Sequence, residues 1–271
     1  MLLAVIVVAY AFATALQMGT HAARLAGVRT KRVATGLTLF NLFGTTGRFL
    51  AFIYMPLIGA LADQARNASD LSRFAGDLRA TMLAATAGTL LGGLAIPWAT
   101  RLLERGIVSF ERRGSLLAAV LQVFKPRTFV SLFRDFRAPR PAMLRYSPAR
   151  LPKAFLWWNI VVMAFWVAGP LSSYYAGVLT PSLQLTAVSL SGLITGVSTL
   201  TLTYIVDPTA ALITDQVATG ARPESDLKAA ILYMVVTTAV GTLLAQALLD
   251  PAAHLISYAA GVIHNVHLQL H

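Results

Sequence analysis

Long apolar stretches separated by short polar segments run through most of the chain. A membrane-spanning helix needs about 20 mostly apolar residues, and six stretches meet this requirement. They cover approximately residues 2–23, 35–61, 80–103, 154–178, 183–206 and 227–249. Their apolar character is continuous rather than alternating, which favours helices over the strands of a membrane barrel. The pattern predicts an all-α integral membrane protein with six transmembrane helices, folded as a single polytopic domain over residues 1–271.

Two apolar segments near the chain ends need separate interpretation. The first, MLLAVIVVAYAFATAL, is apolar from residue 2 and has no basic region before it. A secretory signal peptide would carry such a region, so we predict an uncleaved first span. The second, residues 251–263, is too short to cross a bilayer. We expect it to lie at the membrane interface.

The distribution of charge predicts the orientation of these spans. The chain is 56% hydrophobic and only 12% charged, against about 25% charged residues in soluble domains. Of its 22 lysines and arginines, 18 lie in segments 24–32, 101–153 and 207–228, and three lie in segment 62–79. Because basic loops mark the cytoplasmic side, both termini are predicted outside. The net charge of +11 is then explained by topology and by attraction to anionic lipid, without a nucleic-acid partner.

The cytoplasmic basic segment, residues 104–153, contains an amphipathic pattern. In RTFVSLFRDFR, aromatic and leucine side chains recur at i, i+3, i+4 and i+7 with arginines between them. This pattern is typical of a helix that lies in the membrane surface. The segment is either a basic topogenic loop with one surface helix or a site at which its arginines bind an anionic lipid headgroup.

An arginine lies deep in the second predicted span. Placing Arg48 there costs roughly 2.5–3.5 kcal/mol on insertion scales, and such residues are functional by default. Asn41 lies two helical turns earlier on the same face, with Gly44 between them. No carboxylate lies deep within a predicted span, so Arg48 either binds an anion in a polar cavity or pairs with an acid folded into the bundle. A guanidinium matches phosphate oxygens bidentately, and the simpler alternative is an ordinary helix–helix contact.

A second polar stripe follows the first span. Gln17, Thr20, His21 and Arg24 are spaced at i, i+3, i+4 and i+7 and lead to a basic turn that also contains Arg29, Lys31 and Arg32. His21 could titrate near neutral pH or simply form a hydrogen bond within the bundle.

Several kinds of chemistry have no signature in the sequence. There are no cysteines, which excludes disulfides and cysteine-based sites. There is no GxxxxGK[ST], HExxH or GxSxG motif and no carboxylate cluster for metal-assisted chemistry. The histidines of the C-terminal tail have no carboxylate or cysteine beside them. We therefore predict no cofactor, no metal site and no enzymatic activity.

Three stretches resemble the Amj family of lipid II flippases, the alternates to MurJ. They are RLAGVRTKRVATGLTLFNLFGTTGR from Arg24, PLIGALAD from Pro56 and GVSTLTLTYIVDPTAALITDQV from Gly196. The resemblance covers both halves of the chain. It implies translocation of lipid II, the undecaprenyl-pyrophosphate-linked peptidoglycan precursor, from the inner to the outer leaflet of a bacterial cytoplasmic membrane. Lipid II or a related undecaprenyl-linked lipid would be the partner, together with membrane lipids.

The polar stripes of spans one and two, taken with the family resemblance, define a set of predicted substrate-binding residues. Arg48 would meet the diphosphate at depth, and Asn41 would bond to sugar or phosphate. Four cations would gather the lipid at the entrance: Arg24, Arg29, Lys31 and Arg32. Gln17, His21 and three acids of the family-like stretches complete the set: Asp63, Asp207 and Asp215. A non-transporting scaffold for envelope proteins, a transporter of another undecaprenyl-linked glycan and an intramembrane enzyme remain alternatives, and the sequence leaves energy source and oligomeric state open.

Overall fold

Every secondary-structure element that the computed structural model describes, over residues 1–68, 70–113 and 151–269, is a helix. The first half contains α1 Leu2–Gly19, α2 His21–Arg29, α3 Val33–Phe49, α4 Ala51–Ala68 and α5 Leu71–Arg113. The second half contains α6 Lys153–Leu179, a 3₁₀ turn Pro181–Leu183, α7 Gln184–Ser189, α8 Ser191–Thr201, a π-helical segment Leu202–Val206, α9 Asp207–Ala218 and α10 Glu224–Gln269.

These helices form six stretches that are long and apolar enough to cross a membrane. The stretches are Leu2–Arg29, Val33–Ala68, Leu71–Ser109, Lys153–Leu179, Pro181–Ala218 and Glu224–Val266, and we call them spans one to six. The predicted all-α, six-span membrane architecture is confirmed. Five of the spans extend well beyond the predicted apolar cores. In these extensions Arg24, Arg29 and Asp207 are paired with residues of other spans.

The two predicted non-spanning segments have different outcomes: one is contradicted by the structure, and the other lies where the structure is not described. Residues 251–263 do not form a separate interfacial segment, because α10 continues without a break through Pro251 to Gln269. The predicted surface helix of the basic segment lies outside the described residues.

Close helix contacts hold each half of the bundle together. In span three, a Cβ added at Gly88 would strike the carbonyl oxygen of Ala11 and the hydroxyl of Thr14 in span one. In span six, a Cβ at Gly241 would lie 2.6 Å from the carbonyl oxygen of Ile160 in span four. Spans one and three, and likewise spans four and six, therefore approach at backbone distance, as small residues permit in membranes.

Spans one, two and five are interrupted. Span one changes from α1 to α2 at Thr20, span two changes from α3 to α4 at Leu50, and span five passes through the π-helical segment Leu202–Val206. Single-turn π segments commonly occur at functional sites. At Thr20 and Leu50 the backbone keeps right-handed helical angles, so spans one and two do not unwind there.

The two ends of the bundle are linked by different polar contacts. At the end that holds the α2–α3 turn, which we call the basic end, Arg29 contacts Glu104 of span three and Glu224 of span six. At the opposite end, Arg79 of span three contacts Asp250 of span six at 2.6 Å. The middle and the opposite half are filled by a core drawn from all six spans, which includes Ile6, Ile58, Phe74, Leu171 and Leu249.

Candidate functional site

A cavity of about 160 Å³ lies between the spans, in the half of the bundle nearer the basic end. Its lining includes residues from all six spans. Tyr10 and Tyr54 lie at its side nearer the opposite end, where their rings meet edge to face at 4.6 Å between centroids. Pockets that enclose drug-sized ligands measure about 300 to 1,000 Å³, so this cavity in its present form would enclose only part of a large headgroup.

Helix α3 brings Asn41, Gly44 and Arg48 to the cavity, as their spacing predicts. Asn41 and Arg48 are both exposed, so the cavity opens beside α3. Arg48 lies fifteen residues into span two, which is about 22 Å along a helix, and two residues before the interruption at Leu50. Within the described ranges, no carboxylate lies within ion-pair distance of its guanidinium.

Arg24 is helical, although the sequence analysis placed it in a basic turn after the first span. It lies within α2 and is only 5% exposed. Its Nη2 contacts Asp207 Oδ1 at 3.2 Å, and its guanidinium stacks 4.0 Å from the ring centroid of Phe40. Its Nε and Nη1 have no hydrogen-bond partner in the described part of the chain.

The local fold explains this placement. At the α2–α3 turn, Lys31 adopts a φ of 58°, in the left-handed region. Beside the turn, a Cβ added at Gly36 would lie 2.7 Å from the Cα of Gly27. The two helices therefore cross at backbone contact, which brings Phe40, one turn after Gly36, against the guanidinium of Arg24.

Asp207 lies inside span five rather than beyond its end. It begins α9 immediately after the π-helical segment and lines the cavity. The expectation that no acid lies at depth is therefore wrong for Asp207, but its partner is Arg24 and not Arg48.

The first-span stripe also lines the cavity. Gln17, Thr20 and His21 all contribute to the wall. His21 is buried, with its ring 5.7 Å from that of Phe40. Its Nδ1 has no partner among the residues that the structure describes, so a polar atom here is available to water or ligand.

The remaining predicted residues lie away from the cavity. Arg29 is bound to Glu104 and Glu224, and Lys31 and Arg32 are exposed at the basic end. Asp63 is exposed at the opposite end, where it accepts a hydrogen bond from Gln184. Asp215 is exposed and lies two helical turns beyond Asp207, toward the basic end.

Sequence reasoning missed a neutral polar wall formed by spans three, four and six. Asn159, Thr89, Thr238 and Thr242 line the cavity and are all buried. Asn159 carried a usable signal, because it is a lone amide within an apolar stretch, as Asn41 is. The threonines carried none, since a hydroxyl in a membrane helix usually bonds to its own backbone.

The charges of the cavity favour an anion. Asp207 is already paired with Arg24, so this pair contributes little net charge. Arg48 supplies a cation that has no carboxylate partner in the described part of the chain. Hydroxyl and amide groups on the facing wall offer donors and acceptors to uncharged groups. The arrangement suits a ligand with an anionic part and a neutral polar part. Within the described residues, no group of three histidines, cysteines or carboxylates is placed to hold a metal.

Comparison with known proteins identifies relatives of the chain. The sequence model of the family described as "Amj: Alternate to MurJ" matches residues 10–260. The chain is 33% identical over 244 residues to "Lipid II flippase Amj" of Bacillus subtilis (strain 168), an alignment that covers 88% of this chain and 89% of that protein. No solved structure matches.

Proposed function

The chain belongs to the Amj family, the alternates to MurJ, and from this premise we propose that it translocates lipid II across the cytoplasmic membrane. Lipid II is the substrate named for the Bacillus subtilis relative. The direction we propose is from the inner to the outer leaflet. A flippase activity also agrees with the chemistry of the cavity, which offers a cation and neutral polar groups at membrane depth.

The observation that carries the proposal is the environment of Arg48. It lines a cavity between the spans, and the structure gives it no carboxylate partner among the described residues. The acid that could have neutralised it, Asp207, is held by Arg24. The guanidinium of Arg48 beside a polar cavity is suited to bind a diphosphate, which it can contact with two parallel hydrogen bonds.

The roles of the other predicted residues follow from their positions. Asn41, two helical turns from Arg48 on the same face of α3, would bond to the headgroup beside the diphosphate, and Gln17 and His21 would bond to it from span one. Lys31 and Arg32, exposed at the basic end, would attract the anionic lipid from the membrane surface. Arg24 and Arg29 would instead hold the site in shape, since each is bound to an acid of another span.

The proposed direction depends on orientation. The basic end carries most of the arginines and lysines of the described loops, so the positive-inside rule places it in the cytoplasm. The cavity would then lie nearer the inner leaflet, where lipid II is made. The core that fills the opposite half would separate the cavity from the outer leaflet in this conformation.

The test is lipid II translocation in proteoliposomes, measured by a membrane-impermeant enzyme that modifies only lipid II in the outer leaflet. The wild type should transport lipid II. Arg48→Ala should lower the rate roughly 10- to 100-fold, because a hydrogen bond to a charged group contributes about 1.5–3 kcal/mol. Arg48→Lys keeps the charge but loses the bidentate geometry, and we expect an intermediate rate.

Arg73→Ala is the matched control, because Arg73 is exposed at the opposite end of the bundle. It should transport at the wild-type rate. Equal transport by wild type and Arg48→Ala would retain the flippase and reduce Arg48 to a structural residue. Absence of transport by correctly folded wild type would favour a different undecaprenyl-linked substrate or a scaffold role.

A further inference from the structure

The neutral wall of the cavity contains a buried hydrogen-bonding atom that has no partner in the described part of the structure. Asn159 of span four is 0% exposed and lines the cavity. Its Nδ2 donates to Thr237 Oγ1 at 2.8 Å and to Thr238 Oγ1 at 3.0 Å in span six. Its Oδ1 has no partner among the described residues. A buried polar atom is usually paired, so this carbonyl oxygen requires an explanation.

The hydrogen-bond network fixes which amide atom is left over. The hydroxyl of Thr237 donates to the backbone carbonyl oxygen of Tyr233 at 2.7 Å, so its oxygen can only accept from Asn159. The atom of Asn159 that faces Thr237 must therefore be the donor nitrogen. The remaining atom is an acceptor, and it would be satisfied by a hydroxyl or an amide N–H.

The neighbours of Asn159 are also uncharged. Thr238 and Thr242 line the cavity beside it, and Thr242 shares a hydrogen bond of 2.8 Å with Thr86 of span three. The charged residues of the cavity, Arg48 and Asp207, lie on spans two and five. Arg48 shares its wall with the amide of Asn41, whereas the described lining residues of spans three, four and six are uncharged.

We propose that Asn159, with Thr238 and Thr242, forms a subsite for the sugar next to the diphosphate of the transported lipid. This inference rests on the proposed function. A sugar bearing hydroxyl and N-acetyl groups supplies the donors that Asn159 Oδ1 lacks and can exchange hydrogen bonds with the two threonines. A sugar-free undecaprenyl diphosphate would engage Arg48 and leave this subsite unused. The subsite therefore makes the protein selective for glycosylated carriers.

The test compares two lipids in the same proteoliposomes, lipid II and undecaprenyl diphosphate, and measures the ratio of their translocation rates. Asn159→Ala should reduce lipid II translocation about tenfold, the equivalent of 1.4 kcal/mol. It should change undecaprenyl diphosphate translocation less than twofold. The ratio is insensitive to the amount of folded protein, because a folding defect lowers both rates together.

Two further variants complete the design. Ser172→Ala is the matched control, because Ser172 lies on the same helix and is 0% exposed but does not line the cavity. Its hydroxyl oxygen, like Asn159 Oδ1, has no partner among the described residues. Its ratio should stay at the wild-type value. Thr238→Val removes a cavity hydroxyl with little change in shape and should lower the ratio in the same direction as Asn159→Ala.

The outcomes separate the two proposals. If the wild type moves both lipids and Asn159→Ala lowers both rates equally, or lowers neither, the sugar subsite is refuted and the flippase stands. In that case Asn159 only joins spans four and six. If the wild type moves neither lipid, the proposed function fails, and the subsite fails with it.

Discussion

Replacing Asp207 with alanine removes the carboxylate that compensates a buried guanidinium. Arg24 is 5% exposed, and two of its nitrogen atoms already have no partner in the described structure. Breaking a buried ion pair by removing one partner typically costs 3–5 kcal/mol. We expect about 3 kcal/mol, the lower end of this range, because the Asp207 side chain is 41% exposed and the stacking of Arg24 on Phe40 survives the change.

The assay is thermal unfolding of the purified protein in detergent or nanodiscs. A loss of about 3 kcal/mol should lower the Tm of Asp207→Ala by about 6–12 °C. The double variant Arg24→Met with Asp207→Ala should recover most of this loss, since replacing a buried ion pair by apolar side chains is often neutral or stabilising. Asp215→Ala is the control, because Asp215 is an exposed acid on the same helix.

The comparison of the single and double variants shows whether the loss of stability comes from the uncompensated charge of Arg24. If the double variant is as unstable as Asp207→Ala, the loss comes from packing and not from an uncompensated charge. If Asp215→Ala lowers the Tm by the same amount, the effect belongs to α9 as a whole. Either result would refute the assignment of Arg24 and Asp207 as a structural ion pair.

Two further predictions use the same thermal assay. Gly88→Ala should destabilise the protein by about 2–3 kcal/mol, because its Cβ would strike the backbone of span one. Gly76→Ala is the control in the same helix, with nothing within 4 Å of the added Cβ, and should be neutral or stabilising by about 0.5–1 kcal/mol. Equal changes in Tm for the two variants would contradict the close contact between spans one and three. Arg79→Ala should cost at most about 1 kcal/mol, because Arg79 and Asp250 are 42% and 46% exposed, and a loss above about 2 kcal/mol would show that their contact is worth more than that of an ordinary surface pair.

The sequence was sufficient to predict the architecture and one wall of the site. Continuous apolar stretches of the right length predict six spans, and helical periodicity places Asn41 and Arg48 on one face. The structure brings that face and the stripe of Gln17 and His21 to the same cavity. These predictions succeed because they depend on local spacing and on the thickness of the bilayer, both of which a single sequence contains.

The parts that could not be predicted depend on pairing between distant segments. Hydropathy ends span five before Asp207, because an acid is costly in lipid unless it is paired. The structure pairs it with Arg24, 183 residues earlier in the chain, so the helix continues. A sequence without its tertiary contacts cannot show which charges neutralise one another.

The neutral wall of the cavity could not be predicted for the same reason, because its residues are far apart in the sequence. Asn159 stands between two tryptophans and an apolar run, and its partners lie on span six, 78 and 79 residues away. Its lone amide was a signal of the same kind as Asn41. The sequence does not show that the amide nitrogen is used by the bundle while the amide oxygen has no partner among the described residues.

The 183-residue separation of Arg24 and Asp207 also has a consequence for biosynthesis. At about 5–20 residues per second, the ribosome completes Asp207 roughly 10–40 seconds after Arg24. During this interval span one is available for membrane insertion with its arginine uncompensated. Two features lower the free-energy cost of the uncompensated arginine during this interval. The preceding α1 is strongly apolar, and Arg24 lies near the basic end, where a long side chain can reach the interface. The nascent protein therefore forms the Arg24–Asp207 ion pair only after span five has been inserted. Insertion of span five would then fix the depth of span one in the membrane.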